Sequence, residues 1–182
     1  ECFIPQIVYS ITWGVRNDVA EWNGAMPDSV CDVFDTEAFP GKRAILPNAL
    51  NNMEWGAYCS MGDDRDVSKV YAMLETEEGQ QTALDMWSTI KDDLIFAASA
   101  ADVPQLLQDG EVVMGSTYNG RLFSLIAESG VENVEMLWDA QVLDLDGWIV
   151  PADLDSDRKA AVMDFVEFAT DTQRLADQAA YI

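Results

Sequence analysis

The sequence contains no histidine and only three cysteines among its 182 residues. The absence of histidine removes the commonest general base, the commonest zinc ligand and every Ser-His or Cys-His dyad. Cys2, Cys31 and Cys59 are widely spaced and form no CxxC metal or redox motif. They permit one disulfide and one free thiol, which fits an oxidising compartment without requiring one, and the pairing stays open. We expect neither a metal site nor a cofactor.

Basic residues are also scarce. The chain has 10 Lys and Arg against 33 Asp and Glu, which gives a formal net charge of -23. Such a surface repels phosphates, so nucleic acid is a disfavoured partner. It attracts cations, including organic amines, and this favours a cationic ligand. Acids that only keep the protein soluble would give the same composition, so charge alone leaves both interpretations open.

Long apolar runs are missing as well, since no stretch approaches the roughly 18–20 residues that span a bilayer. The chain begins at Glu1 without a signal peptide, as expected of a segment cut from a longer precursor. Apolar residues make up 49% and charged residues 24%, the balance of a folded protein. We find no repeat and no linker, so the sequence predicts one domain over residues 1–182.

Strands and helices alternate along the chain, and this order predicts an α/β fold. We expect a three-layer sandwich with a central mixed, mostly parallel sheet. In the helix at 76–92, Leu84, Trp87 and Ile90 are predicted to share one apolar face. The predicted strands are 6–16, 43–46, 94–97, 111–115, 134–137 and 148–151, and the predicted helices are 29–35, 47–62, 76–92, one ending at Asp109-Gly110, 120–129 and two capped by Asp155 or Ser156 and by Asp171.

Ligands of such sheets bind beyond the strand ends, in the loops that follow. The segment GSTYNGR at 115–121 joins a predicted strand to a helix, but it has neither the GxGxxG nor the GK[ST] pattern of a phosphate loop. We interpret Tyr118 as an aromatic wall that stacks on a cation. A rim aromatic of no special role is the alternative. Ser99, in the loop after the strand at 94–97, is a further candidate.

Acidic residues supply the other candidates. Asp144 and Asp146 point to the same side if their segment is extended, and two carboxylates there can bind an ammonium group. Paired acids of a glycosidase are the enzyme alternative, although those lie on opposite sides of a sugar. A solvated acidic turn is the third possibility. Glu54 beside Trp55 is a weaker cation site, because neighbours on a helix point to different faces.

The segment DLDSD at 153–157 resembles the opening of a calcium loop. Its sixth position is Arg158 where a glycine is needed, and its twelfth is Asp164 where a bidentate glutamate is needed. A helix N-terminus favours acidic residues without any metal. We therefore do not expect calcium.

Three further segments carry a family pattern: DVFDTEAFPGKRAI at 32–45, QLLQDGEVVMGSTYNGR at 105–121 and DGWIVP at 146–151. In type and order they resemble the spermidine/putrescine-binding family of bacterial ABC importers, and with the helix start TDTQ at 170–173 they cover most of the chain. The resemblance implies a two-lobed Venus-flytrap protein of which this chain is the second lobe, the first being absent.

The same resemblance implies a function and a site. It implies a periplasmic protein, monomeric when full length and not an enzyme, that captures a small solute and delivers it to an ABC permease in the inner membrane. The expected solute is a polyamine such as putrescine or spermidine, with an amino-acid derivative or a sugar as alternatives; a sensor or adhesion module that reuses the fold is a further reading. Tyr118 matches an aromatic against the ligand, and Asp146 matches the acid that grips an amino group. Asp144 stands where some relatives have tryptophan. In the helix after Pro47, Glu54 substitutes, in a shifted register, for the acids that some polyamine binders have there.

Overall fold

The computed structural model describes residues 3–179, which form two compact units. The central unit is Ile11–Val142, and the terminal unit combines Glu1–Ser10 with Leu143–Ile182. The sequence contains no linker at either boundary. The single lobe over 1–182 stays a prediction.

A five-stranded mixed sheet organises the chain, with the strand order β3-β2-β4-β1-β5. β2 runs parallel to both β3 and β4, whereas β1 is antiparallel to β4 and pairs Ile11 with Tyr118. The α/β fold and the mixed sheet predicted from the sequence are confirmed. The strands are β1 Ile4–Arg16, β2 Arg43–Ile45, β3 Leu94–Phe96, β4 Met114–Tyr118 and β5 Val134–Trp148.

Helices fill the connections, and their starts follow local capping rules. Ser29 accepts a hydrogen bond from the backbone N–H of Cys31 at the start of a short 3-10 turn, and Asp155 and Asp171 cap the last two helices, as expected. Among residues 3–179, none of the helices combines the length and apolar character needed to cross a membrane. The helices are α1 Asn52–Ser60, α2 Val67–Leu74, α3 Glu77–Ser88, α4 Asp102–Gln108, α5 Asn119–Phe123, α6 Ser156–Ala169 and α7 Thr172–Gln178.

Several predicted bounds are wrong. β4 begins at Met114 and runs through Tyr118, so most of the expected loop at 115–121 is strand. The expected strands at 134–137 and 148–151 are replaced by the single strand β5, which includes Asp144 and Asp146. Acidic and glycine residues have low strand propensity, but in β5 pairing within the sheet overrides it.

The apolar face predicted at 76–92 is confirmed for Trp87 and Ile90, which are buried, and is wrong for Leu84. Leu84 is 48% exposed, and the buried residues of the helix are Gly79, Ala83 and Trp87. Small residues let α3 approach α1 closely, since a Cβ on Gly56 would lie 2.6 Å from the carbonyl oxygen of Ala83. The side of α3 that contacts α1 therefore contains the small residue Ala83, and Leu84 lies on the exposed side.

The main core of the central unit lies between the sheet and helices α4 and α5. Its buried members include Val103, Leu107 and Leu122. Gly14 and Gly115 pair across β1 and β4. A Cβ on either glycine would lie within 2.7 Å of these helix side chains, so the two glycines allow the helices to contact the sheet.

A second buried cluster is aromatic. The ring centroids of Trp13 and Trp55 are 5.3 Å apart, and those of Phe34 and Trp87 are 4.6 Å apart. The indole N–H of Trp55 donates to the carbonyl of Ala140 at 2.9 Å. Aromatic pairs of this kind stabilise a fold beyond the apolar area they bury.

Arg43 explains the structural role of the FPGKR segment. Its side chain is fully buried and donates hydrogen bonds to the backbone carbonyls of Val33, Asp35, Phe39 and Gly41. Burial lowers the pKa of the guanidinium, while the charges of Asp93 and Asp35 act in the opposite direction. The cation therefore fixes the loop that precedes β2.

A disulfide joins Cys31 to Cys59, with their Cα atoms 5.3 Å apart. It settles the pairing that the sequence left open. Cys2 lies outside the described residues. The bridge links the 3-10 turn at Val30–Phe34 to the end of α1.

Candidate functional site

The carboxyl ends of β2, β3 and β4 meet at one edge of the sheet in the central unit. The three strands are parallel and end at Ile45, Phe96 and Tyr118. Loops that follow parallel strands at such an edge are the usual location of ligands in α/β sheets. Tyr118 is at the end of β4, and Ser99 and the loop leading to Glu54 follow β3 and β2.

Tyr118 is the last residue of β4 and the N-cap of α5, so regular backbone on both sides holds it. Its side chain is partly buried, and the guanidinium carbon of Arg121 lies 6.0 Å from the centroid of its ring. The buried hydroxyl of Thr117 donates to the carbonyl of Ala100 at 2.7 Å, which ties the end of β4 to the loop after β3. The ring is thus placed beside a cation on a rigid strand end.

Ser99 has a local structural task. Its hydroxyl accepts from the N–H of Ala101 at 3.2 Å, and its own N–H donates to the carboxylate of Asp102 at 2.8 Å. This reciprocal arrangement resembles a capping box and begins α4. The side chain is exposed, and its role in ligand binding stays a prediction.

The helix that carries Glu54 divides its two candidate residues between two environments. Trp55 is 1% exposed and belongs to the core, whereas Glu54 is partly exposed. The two side chains therefore do not form one site.

The loop between β2 and α1 is closed by a residue that the sequence analysis missed. The side-chain amide of Asn52 donates to the carbonyls of Leu46 and Asn48, both at 2.8 Å, and its backbone carbonyl accepts from the indole of Trp87 at 2.7 Å. Asn51 is buried and has a positive φ of 58°. The signal was the asparagine-rich run PNALNN directly after a strand, because asparagine tolerates left-handed backbone and bonds to nearby backbone groups.

Asp144 and Asp146 lie in the exposed part of β5, in the terminal unit. The hydroxyl of Tyr9 donates to one carboxylate oxygen of Asp144 at 3.0 Å, and the N–H of Leu145 donates to the other at 2.8 Å. Asp144 thus bridges to β1. Asp144 and Asp146 were expected to point to the same side only if their backbone is extended, and it is extended in β5. The alternative of a solvated acidic turn is wrong. Tyr118, Ser99 and Glu54 belong to the central unit.

The DLDSD segment begins a helix. Asp155 accepts from the N–H of Arg158 at 2.9 Å and forms an ion pair with its side chain at 3.3 Å. Within the described range 3–179, no group of three acidic or cysteine side chains is arranged to hold a metal ion. Asp155 acts as the helix cap, and Asp157 lies in the first turn of the helix.

A polar pocket of about 370 Å³ lies between α4 and α5. Arg121 lines it, whereas Tyr118, Ser99 and Glu54 do not. The pocket therefore contains none of the site residues predicted from the sequence. The other lining residues are Ala101, Pro104, Gln105, Gln108, Gly120, Ser124, Leu125 and Ser129.

Comparison with known proteins assigns the family. The family described as bacterial extracellular solute-binding protein matches residues 1–182, the whole chain. The chain belongs to this family. Among curated proteins, the chain is similar to the gamma-aminobutyric acid (GABA)-binding protein of Pseudomonas aeruginosa. The two are 29% identical over 173 residues, which cover 95% of this chain and 46% of that protein.

Solved structures of solute-binding proteins agree with the assignment. The PBP MotA from A. tumefaciens B6, in complex with glucopine, is 29% identical with a TM-score of 0.80, and the match covers 97% of this chain and 52% of that one. The Atu4243-GABA receptor is 30% identical with a TM-score of 0.76, and the match covers 98% and 52%. The chain spans about half the length of these relatives.

The narrower expectation of a polyamine-binding family is not confirmed. The spermidine/putrescine substrate-binding protein PotD from Streptococcus pneumoniae has a TM-score of 0.71, but it is only 14% identical, so it shares the fold alone. The broader expectation holds, because the family and the relatives above are solute-binding proteins and not enzymes.

Proposed function

We propose that this chain forms part of a secreted binding protein that captures a small amine-bearing solute and delivers it to an ABC permease in the inner membrane. The match of the extracellular solute-binding family to the whole chain carries this proposal. The Cys31–Cys59 disulfide supports it, because disulfides persist in oxidising compartments such as the periplasm. We further propose that the full-length protein is a monomer that closes around its solute.

The proposed solute is a small amino acid of the GABA type, which carries an ammonium group at one end and a carboxylate at the other. The ring of Tyr118 can stack on an ammonium group, an interaction of about 0.5–2 kcal/mol. Arg121, 6.0 Å from the ring centroid, offers a guanidinium fork for a carboxylate. Two similar proteins, at 29% and 30% identity, are named for GABA.

A polyamine is the second candidate. The net charge of -23 and the exposed carboxylate of Asp146 favour a cation. Arg121 favours the amino acid over the polyamine, because a polyamine has no carboxylate to pair with the guanidinium. In the central unit we keep Glu54 and Ser99 as proposed contacts for the ammonium end of either solute. The pair Asp144 and Asp146, in the terminal unit, is a separate proposed site for an ammonium group.

Calorimetric titration of the full-length protein tests the proposal. GABA, putrescine, spermidine and glucose are compared in the same buffer. We expect saturable binding of GABA and weaker or no binding of the other three. Tighter binding of putrescine or spermidine would favour the polyamine, and binding of glucose alone would exclude an amine solute.

Two tyrosines provide a matched pair of variants. Tyr118→Ala should weaken GABA binding by about 2- to 30-fold, the equivalent of one lost cation–aromatic contact. Tyr71→Ala removes a tyrosine that is 63% exposed on α2 and is not among the proposed contacts, so it should leave affinity unchanged. Equal affinities of the two variants would remove Tyr118 from the site.

A further inference from the structure

The chain contains two Asn-Gly pairs, Asn23-Gly24 and Asn119-Gly120, and both lie in the central unit. Asparagine is a chemically labile residue, and it loses its side-chain amide fastest when glycine follows, because glycine has no side chain to shield its backbone nitrogen. The two pairs therefore have similar intrinsic reactivity. Their surroundings in the folded protein differ, and this difference determines which of them reacts.

Asn23 and Gly24 form the tip of the loop that follows β1. Asn23 ends the 3-10 turn Ala20–Trp22 with left-handed backbone at a φ of 53°, and Gly24 continues it at a φ of 82°. Both residues are exposed, and a Cβ on Gly24 would meet nothing within 4 Å. Among residues 3–179, the backbone N–H of Gly24 donates no hydrogen bond. The nitrogen that would attack the asparagine side chain is therefore open to solvent.

The side chain of Asn23 has one tether. Its Nδ2 donates to the carbonyl of Glu21 at 3.1 Å, and both residues are exposed, so water can replace this bond at little cost. The base of the loop is firmly held, because Trp22 is 3% exposed and its indole N–H donates to the carbonyl of Pro40 at 3.0 Å. The tip can therefore rearrange without disturbing the base.

The second Asn-Gly pair is held in a helix. Asn119 is the first residue of α5 and is partly buried, and the carbonyl of Gly120 accepts a hydrogen bond from the N–H of Ser124. Ring closure requires the backbone of the asparagine to rotate about ψ, and here that rotation requires the first turn of α5 to open. The free energy of this local opening slows the reaction at Asn119.

We propose that Asn23 is a site of spontaneous deamidation, which replaces a neutral amide by a carboxylate at the tip of the loop. The backbone nitrogen of Gly24 loses its proton and attacks Cγ of Asn23. The new N–C bond closes a succinimide ring, the bond from Cγ to Nδ2 breaks, and Nδ2 leaves with that proton as ammonia. Water then opens the ring at either carbonyl carbon and leaves aspartate or isoaspartate. The net reaction consumes water, releases ammonia and changes no oxidation state.

The modified tip lies away from the candidate solute site. β1 and β4 are antiparallel, with Val15 opposite Met114 and Ile11 opposite Tyr118. The chain leaves β1 for this loop at the Met114 end, whereas Tyr118 lies at the other end. Aspartate tolerates left-handed backbone as asparagine does, so the aspartate product keeps the turn. The proposal is independent of the identity of the solute.

Peptide mapping by mass spectrometry tests the proposal on the full-length protein aged in warm, mildly alkaline buffer. Asn23 should deamidate at least about tenfold faster than Asn119, with isoaspartate among the products. The same protein unfolded in urea is the control, and there the two pairs should react at similar rates. Equal rates in the folded protein would overturn the proposal. So would a rate difference that persists in urea, or aspartate formed without isoaspartate, which would indicate direct hydrolysis.

A matched pair of variants assigns the product to its residue. Isoelectric focusing of the aged protein should show a more acidic form, because each deamidation adds one negative charge. Asn23→Gln should abolish this form, since glutamine would have to close a larger and less favourable ring. Asn119→Gln should retain it. An acidic form that persists in aged Asn23→Gln and disappears in Asn119→Gln would contradict the assignment.

Discussion

Replacing Gly115 by alanine tests the close contact between the sheet and α4. A Cβ at this position would lie 2.6 Å from Cγ1 of Val103, where ordinary contacts are 3.4–4 Å. Val103 is fully buried on a helix, and a β-branched side chain there has one strongly preferred rotamer, so it cannot turn away. Overpacking of this kind costs about 1–3 kcal/mol. We therefore expect Gly115→Ala to lower the free energy of unfolding by that amount.

Urea unfolding followed by tryptophan fluorescence gives the measurement, and Gly120→Ala is its control. A Cβ on Gly120 would meet nothing within 4 Å, and alanine favours helix, so this variant should be unchanged or up to about 1 kcal/mol more stable. Val103→Ala removes the clashing atom, and the double variant should lose less stability than the two single variants added together. Equal stabilities of Gly115→Ala and Gly120→Ala, or strict additivity in the double variant, would refute the reasoning.

Three further predictions concern stability. Arg43→Met should cost about 3–5 kcal/mol, because the carbonyls of Val33, Phe39 and Gly41 lose their charged donor; a loss below about 1 kcal/mol in urea unfolding would contradict the role assigned to the guanidinium. Opening the Cys31–Cys59 bridge, at a sequence separation of 28, should cost about 3.5 kcal/mol through the entropy of the unfolded chain, measured as the difference between the Cys31→Ala/Cys59→Ala variant and the oxidised protein. The hydrogen bond from Arg16 holds the pKa of Asp18 below its ordinary value. The stability that this bond adds is therefore present above about pH 4 and is lost as the pH falls through the lower pKa of the folded state. Asp18→Asn should reduce the fall in the free energy of unfolding at acid pH, and an unchanged fall would exclude the effect.

Features specified by neighbouring residues could be predicted from the sequence. The caps at Ser29, Asp155 and Asp171 depend on side chains and N–H groups two or three positions apart, so the sequence alone was sufficient. Strand β1 was predicted for a similar reason, because its β-branched and aromatic residues favour extended backbone.

Features specified by distant residues could not be predicted in the same way. The exposed half of β5 contains Asp144, Asp146 and Gly147, and its extended form depends on pairing with another strand. The outward position of Leu84 depends on contact between α1 and α3 at Gly56 and Ala83. The burial of Arg43 was missed for a different reason: its carbonyl partners Val33 and Phe39 are close in sequence, but they surround the side chain only because of the path of the 3-10 turn at Val30–Phe34 and the loop after it.

The candidate site was predicted in part. Sequence reasoning located the strand-edge loops correctly, because parallel strands end at one edge, but it treated Tyr118 as a loop residue when it ends a strand. It did not identify Arg121 as a neighbour of that ring, although the two lie three positions apart across the start of a helix. Because of this proximity, the solute that we propose is an amino acid and not the polyamine expected from the sequence.

The titration of the full-length protein with GABA, performed side by side on the Tyr118→Ala and Tyr71→Ala variants, tests the central claim most directly. The account predicts saturable binding that Tyr71→Ala retains and Tyr118→Ala weakens by about 2- to 30-fold. Folded protein that binds neither GABA nor a polyamine would contradict it.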